Sequence, residues 1–329
     1  MEKKRVLSGN RPTGRLHLGH LLGILGNWVD MQKDYECFYE VADWHVLTTS
    51  TEKTHEIAEN IREMALDWFA VGIDPEASTV FIQSHIPEHA ELHLLFSMLA
   101  TVSRLERNPT YKEQIQELNL GDQVSYGLLG YPVLQAADVL IYRANTVPVG
   151  EDQLPHLEFT REIARRFNYV FGEVFPVPEH KLAKTARLPG IDGRKMSKSY
   201  GNAIFLADDA DTVHKKVWNI VTDPQRVRLK DPGNPEVCNV YKYYQIFASE
   251  RQKTVARECR GAERGCIACK KELVEILVEL LQPIQKRRAE FSRDPSLVDG
   301  YLKKGTEKAR EEAAATMRLV RKKMGIGRL

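Results

Sequence analysis

The first half of the chain alternates between two hydrophobic rhythms. A short buried strand is predicted over Arg5–Gly9, ending in a Gly/Pro-rich turn. Apolar residues then recur with helical spacing from Leu18 to Met31, and the aromatic, β-branched alternation over Cys37–Val46 predicts a second strand. Glu52–Val71 is helical by period and propensity, and Ser78–Gln83 reads as a third strand. Strands alternating with helices predict an α/β fold with a parallel sheet and right-handed crossovers. A helical insertion is expected over about 88–130, and residues 132–168 then give a helix, a short strand around Thr146–Val149 and another helix. The stretch 184–202 is rich in Gly, Lys, Arg and Ser, which predicts a mobile loop and a domain boundary. Residues 209–329 read as mainly helical. The expected division is a catalytic domain over 1–200 and an all-helical domain over 201–329, with the last helix returning to the first domain.

Charge sharpens that division. Residues 1–180 hold 15 Lys+Arg against 26 Asp+Glu, whereas residues 181–329 hold 32 against 19. A basic helical half fits either a polyanionic partner or a solvated helical surface. No apolar run reaches the length of a membrane span, and the N-terminal MEKKRVLSG lacks the apolar stretch of a signal peptide, so a cytoplasmic location is expected.

Two segments carry chemistry. Gly9-Asn-Arg-Pro-Thr-Gly-Arg-Leu-His17-Leu-Gly19-His20 follows a strand and opens a helix. A helix N-terminus offers unpaired N–H groups and a positive dipole end, which suit phosphate. His17 and His20 share one face of the first turn, and Gly19 lets a flat base approach the backbone. Lys195-Met196-Ser197-Lys198-Ser199 lies among glycines. Two lysines three residues apart on such a loop can close over pyrophosphate and neutralise the charge that develops there.

These two segments, in this order, resemble the signatures of class I aminoacyl-tRNA synthetases. The resemblance implies a Rossmann-type catalytic domain and a two-step reaction. The amino-acid carboxylate attacks the α-phosphate of ATP, with Mg²⁺ carried on the phosphates. The aminoacyl group then passes to the 3′-terminal ribose of tRNA.

A third segment bears on the amino acid. Tyr131, Gln135 and Asp138 share one helix face, and Asp138, among apolar neighbours, reads as a buried acceptor for an indole N–H or a phenol O–H. Val147-Pro-Val-Gly-Glu-Asp-Gln153, followed by His156 and Thr160-Arg161, resembles the tryptophanyl branch rather than the tyrosyl branch. That resemblance implies tryptophan, ATP and the tryptophan tRNA as substrates, and a homodimer formed through the inserted helices. It makes Asp138 the indole acceptor and places Gln135 in the indole pocket. Tyr131 and Gln153 fall near the α-amino group. It sets ATP against Arg11, Pro12, Thr13, Gly19, His20, Gly150, Glu151, Asp152, Leu188 and the loop Lys195, Met196, Ser197, Lys198 and Ser199. Lys112 matches a lysine reaching the triphosphate from the insertion, which joins His17, His20, Lys195 and Lys198 as catalytic. Arg11 stands where a Gln is usual and Gln135 where a Met is common.

Of five cysteines, Cys37 reads as a core residue. Cys238, Cys259, Cys266 and Cys269 follow a Cys-x20-Cys-x6-Cys-x2-Cys spacing that reads as a metal site, with zinc and an iron–sulfur cluster both suiting four thiolates. Only one short Cys-x-x-Cys knuckle is present, which favours the cluster. Some tryptophanyl enzymes are similar in carrying a [4Fe-4S] cluster on such cysteines. Competing readings are a tyrosyl enzyme, a small-molecule nucleotidyltransferase, and a catalytically silent RNA-binding paralogue.

Overall fold

The computed structural model describes residues 3–49, 51–117, 119–121, 123–182 and 188–327; the side chains of Lys53, Glu117 and Asp152 also lie outside the described set. Five parallel strands form one sheet: β1 (Arg5–Asn10), β2 (Glu36–Val41), β3 (Ser78–Ile82), β4 (Thr146–Val149) and β5 (Glu179–Leu182). Their order is β3-β2-β1-β4-β5. Register is fixed by pairs such as Leu7↔Phe38, Phe38↔Thr79 and Thr146↔Glu179. Successive strands step outward in one direction to β3, and the chain then crosses to β4 on the other side of β1. In such sheets the crevice at the carboxyl ends of the two strands flanking the reversal is the natural ligand site. Here that crevice lies between the residues after Asn10 and those after Val149.

Three elements differ from the pattern. The second strand stops at Val41, and Trp44–Leu47 forms a one-turn helix, α2. Alternation continued past the strand end because one face of α2, at His45 and Val46, is also buried. The first helix, α1 (18–31), is interrupted by a π turn over Leu21–Leu25, a distortion common beside functional sites. The exposed edge strand β5 carries no apolar alternation to announce it.

The crossovers are α3 (Ile57–Val71), then α4 (Glu88–Ser97), α5 (Val102–Glu106), α6 (Pro109–Glu117) and α7 (Tyr126–Ile141), and after β4, α8 (Leu154–Phe171). The sheet buries one core on each face. One contains Trp28, stacked on Tyr39 at 4.5 Å and meeting Trp68 edge-on at 5.0 Å. The other contains Phe38, Phe81 and Tyr142. The later helices are α9 (Ala210–Trp218), α10 (Asn239–Phe247), α11 (Gln252–Arg260), α12 (Cys266–Arg293) and α13 (Pro295–Met324). They are not a detached unit, since Leu273, Leu277 and Leu281 of α12 join the Trp28 core. Helix α13 lies along edge strand β3, where a Cβ on Gly305 would collide with the Val80 backbone and Thr306 Oγ1 accepts from the Ile82 N–H at 3.3 Å.

Candidate active site

The turn after β1 brings His17 to the N-cap of α1. Its Nδ1 accepts the Gly19 N–H at 3.1 Å, and His20 Nδ1 accepts the His17 N–H at 3.2 Å. Both protons therefore sit on Nε2, leaving two N–H donors free to turn outward. Any Cβ on Gly19 would press into the His17 ring, so the motif needs its glycine here. Burial, then Lys198, lowers His17 to about 4; burial, then His17 and Lys198, lowers His20 to about 3. Both rings are neutral donors at physiological pH.

The distant lysine loop closes onto this turn. Lys198 Nζ donates to Thr13 O at 3.0 Å, Thr13 Oγ1 at 3.1 Å and Gly14 O at 2.9 Å. Burial lowers its ammonium to about 8, against the opposing charge of Asp67. The loop is pinned by buried Asn202: its Oδ1 accepts the Ser197 N–H at 2.8 Å, and its Nδ2 donates to Lys195 O at 3.1 Å and Asp192 Oδ1 at 2.8 Å. Met196 and Leu188 are buried, whereas Lys195 and Ser199 are exposed. Two backbone bonds, Leu18 N–H to Ile204 O and Leu206 N–H to Leu16 O, sew the segment after the loop to the histidine turn.

Arg11 and Thr13 are exposed beside this cradle, with Pro12 buried between them. Across the strand reversal, Gly150 precedes the short turn Glu151–Gln153, closed by the Gln153 N–H to Gly150 O bond at 3.0 Å. The Asp152 side chain lies outside the described residues. Lys112 is exposed on α6.

The second half of the site is a cleft of about 200 Å³ lined by Trp44, Leu47, Thr48, His93, Tyr126, Gly130, Tyr131 and Leu134. Tyr131 OH meets His156 Nε2 at 2.5 Å, and His156 Nδ1 faces Asn108 Nδ2 at 3.0 Å. Gln135 is half-buried next to the cleft residue Leu134. Asp138, one turn deeper, is buried. Its Oδ1 accepts from His89 Nδ1 at 2.7 Å and Gln83 Nε2 at 2.9 Å, and its Oδ2 meets His45 Nε2 at 2.8 Å. A carboxylate has about four acceptor positions, so one remains on Oδ2. Burial opposes ionisation of Asp138, but the bonds from His45 and His89 outweigh it and bring the group down to about 2. Neighbouring Glu40 is pushed up by burial and by Asp138 and Asp43, so it is the neutral partner, and its Oε1 has no hydrogen-bond partner among the described residues.

Sequence reasoning missed His45, Gln83, His89 and Asn202. The first two sit just past the carboxyl ends of β2 and β3, the rim where parallel sheets bind ligands. That rule applied strand by strand finds them.

The chain matches, over residues 1–282, the family model described as tRNA synthetases class I (W and Y). The chain belongs to that family. It is 53% identical over 325 residues to a tryptophan–tRNA ligase of Thermotoga maritima, covering 98% of this chain and 99% of that one. A tryptophan–tRNA ligase of Aquifex aeolicus is 42% identical, covering 98% and 100%. Among solved structures, a tryptophanyl-tRNA synthetase from Campylobacter jejuni complexed with ADP and tryptophan matches with TM-score 0.88 at 34% identity, over 98% of this chain and 100% of that one. A tyrosyl-tRNA synthetase from Archaeoglobus fulgidus shares the fold, with TM-score 0.68 at 20% identity over 87% and 90% of the two chains.

The synthetase gathers its four other cysteines in the helical half. Cys238 caps α10, Cys259 lies near the end of α11, and Cys266 and Cys269 occupy the first turn of α12. Burial, with the nearness of other cysteines of the set, raises the thiols of Cys238, Cys259 and Cys269 above the ordinary range. Backbone hydrogen bonds from Tyr241, Val240 and Asp223 partly offset that rise at Cys238. Arg264 Nε donates to Cys269 Sγ at 3.2 Å, and Arg226 Nη1 to Cys259 Sγ at 3.7 Å. A Cβ on Gly233 would fall on Cys259 Sγ.

Proposed function

We propose that the enzyme is a tryptophan–tRNA ligase that activates L-tryptophan with ATP and transfers it to the 3′ end of its tRNA. The observation that carries this reading is the meeting of Lys198 with the Thr13–Gly14 turn, beside two neutral histidines at a helix N-terminus. Lys198 occupies backbone oxygens that an incoming triphosphate would outbid for its charge. The Nε2–H donors of His17 and His20 stabilise the phosphate oxygens, and Lys195 and Lys198 neutralise the departing pyrophosphate as the α–β bond breaks. Lys112 adds a further charge from the insertion, while Gly150, Glu151 and Asp152 hold the ribose. The open acceptor position of Asp138 takes the indole N–H, with Tyr131 and Gln153 facing the α-amino group. Magnesium enters on the phosphates. The test is amino-acid-dependent pyrophosphate exchange. Exchange driven by tryptophan supports the reading, and exchange with tyrosine alone overturns it.

Residues 201–329 serve as the tRNA-binding unit, supported by the net positive charge of the second half. Cys238, Cys259, Cys266 and Cys269 would hold a [4Fe-4S] cluster, with Zn²⁺ the alternative. The single short Cys-x-x-Cys knuckle, with the other two ligands spread along the chain, favours the cluster. When bound, the group supplies a cross-link between three helices; the N–H and guanidinium donors around the sulfurs suit thiolate ligands. A visible absorption spectrum separates cluster from zinc. Exposed Leu94, Met98, Val102 and Tyr126 on and beside the inserted helices support a homodimer, which sedimentation would test. No helix among the described residues is long and apolar enough to cross a membrane, and the cytoplasm is the compartment where charging takes place.

A further inference from the structure

The histidine turn is held from beneath by a side chain that belongs to the helical half. Asp67 on α3 is fully buried, and its Oδ2 accepts the Leu16 N–H at 2.7 Å, immediately before His17. Its other oxygen accepts from Arg288 Nε of α12 at 2.8 Å. Arg288 Nη2 continues to Glu63 at 2.6 Å, and Glu63 also receives Arg15 Nε at 3.0 Å. The Leu16 amide and the side chain of the preceding Arg15 are thus tied to one ion-pair cluster, and that cluster is closed by a residue more than 200 positions later in sequence. The cysteine-bearing turn and Arg288 are opposite ends of the same helix.

We propose that Arg288 and Asp67 are positioning residues for adenylate formation, so that the C-terminal helical unit sets the geometry of the catalytic turn. A buried carboxylate needs a partner, and Arg288 is the only charged donor on Asp67 among the described residues. Without it Asp67 must protonate or turn away, and the Leu16 amide loses a fixed acceptor. The turn that aims the two Nε2–H groups then loosens. Displacements of even about 1 Å in such a constellation cost large factors in rate. Asp67 also lies close enough to Lys198 to raise its basicity, and the other titratable groups facing Lys198 are the neutral rings of His17 and His20. The pair therefore supports the lysine as well as the histidines. This proposal rests on the adenylate-forming reading.

The test uses the full-length enzyme with Arg288→Met, Arg288→Lys and Asp67→Asn, in tryptophan-dependent pyrophosphate exchange. Arg288→Met is expected to lower kcat roughly tenfold, with the KM for tryptophan within about twofold, and Arg288→Lys to recover part of the loss. Asp67→Asn keeps a volume match and an acceptor for Leu16 but removes the charge, so the alkaline limb of the exchange profile should move to lower pH. A purely structural pair would lower the melting temperature and move neither the limb nor the per-molecule kcat. The proposal is overturned if folded Arg288→Met exchanges at the wild-type rate, or if Asp67→Asn leaves the limb in place. Should Arg288→Met fail to fold, the Asp67→Asn profile decides. If the unmutated enzyme shows no exchange with any amino acid, the underlying functional reading has failed, and the positioning proposal with it.

Discussion

The phosphate half and the tryptophan half of the site are built on opposite plans. On the phosphate side His17 is buried and His20 half-buried, both rings are neutral, and the one well-placed ammonium has its three donors on the Thr13–Gly14 turn. Those three bonds would have to be exchanged when a triphosphate arrives. On the tryptophan side, Asp138 is buried and ionised, and three of its acceptor positions are filled before substrate binds. On the proposed reading, one half adapts to charge that grows during the reaction and the other is a fixed gauge for a neutral donor, so that catalysis would use the first and selection the second.

Perturbations should separate the halves. The largest effect is expected from Lys198→Met, which should lower the exchange kcat about 10³-fold and leave tryptophan affinity, measured by calorimetry without ATP, within about twofold. If affinity falls in step with rate, the halves are not independent. Asp138→Asn should raise the KM for tryptophan roughly 100-fold with little change in that for ATP, because the amide upsets the donors from His45, His89 and Gln83. An equal loss on both substrates would sink the comparison.

The pH profile offers a finer cut. The free enzyme loses the Lys198 proton near pH 8, so kcat/KM for ATP should fall on the alkaline side with a midpoint there. The limb of kcat should lie higher, since bound phosphates hold the proton. On the acid side the signs are reversed. His17 and His20 take up protons at 6.5 when unfolded but only at about 4 and 3 when folded. Their contribution to stability is intact above pH 6.5 and is lost as pH falls through 4. Thermal melts should therefore show a decline below pH 6.5, whereas no acid limb near 6.5 in exchange should trace to these rings. The smallest effect on activation belongs to Cys266→Ser. It should raise the KM for tRNA about tenfold and lower the melting temperature by a few degrees, with pyrophosphate exchange held within about twofold; unchanged tRNA affinity and stability would remove the bracing role.

The phosphate half was legible because its chemistry is local. A strand, a glycine turn and two histidines lie within a dozen residues, and the lysine loop is equally compact. Asp138 was legible as a buried acceptor on an apolar helix face, but not its partners. His45, Gln83 and His89 come from three separate segments, and only the order of the strands brings them to one carboxylate. Asn202 escaped for a related reason, since a lone Asn after a glycine carries no periodicity and its value comes from folding back on Ser197 and Lys195. The edge strand β5 was silent because an exposed strand need not alternate.

The seating of α13 on β3 has a consequence for synthesis on the ribosome. The outermost strand of the sheet is complete once residue 82 has emerged, yet Thr306, one of the groups that cover it, follows its Ile82 partner by 224 positions. Over that interval the border stays open to pairing with a neighbouring nascent chain. Premature termination before the final helix would therefore release a product whose catalytic turn is fully encoded but whose sheet is primed to stick to copies of itself.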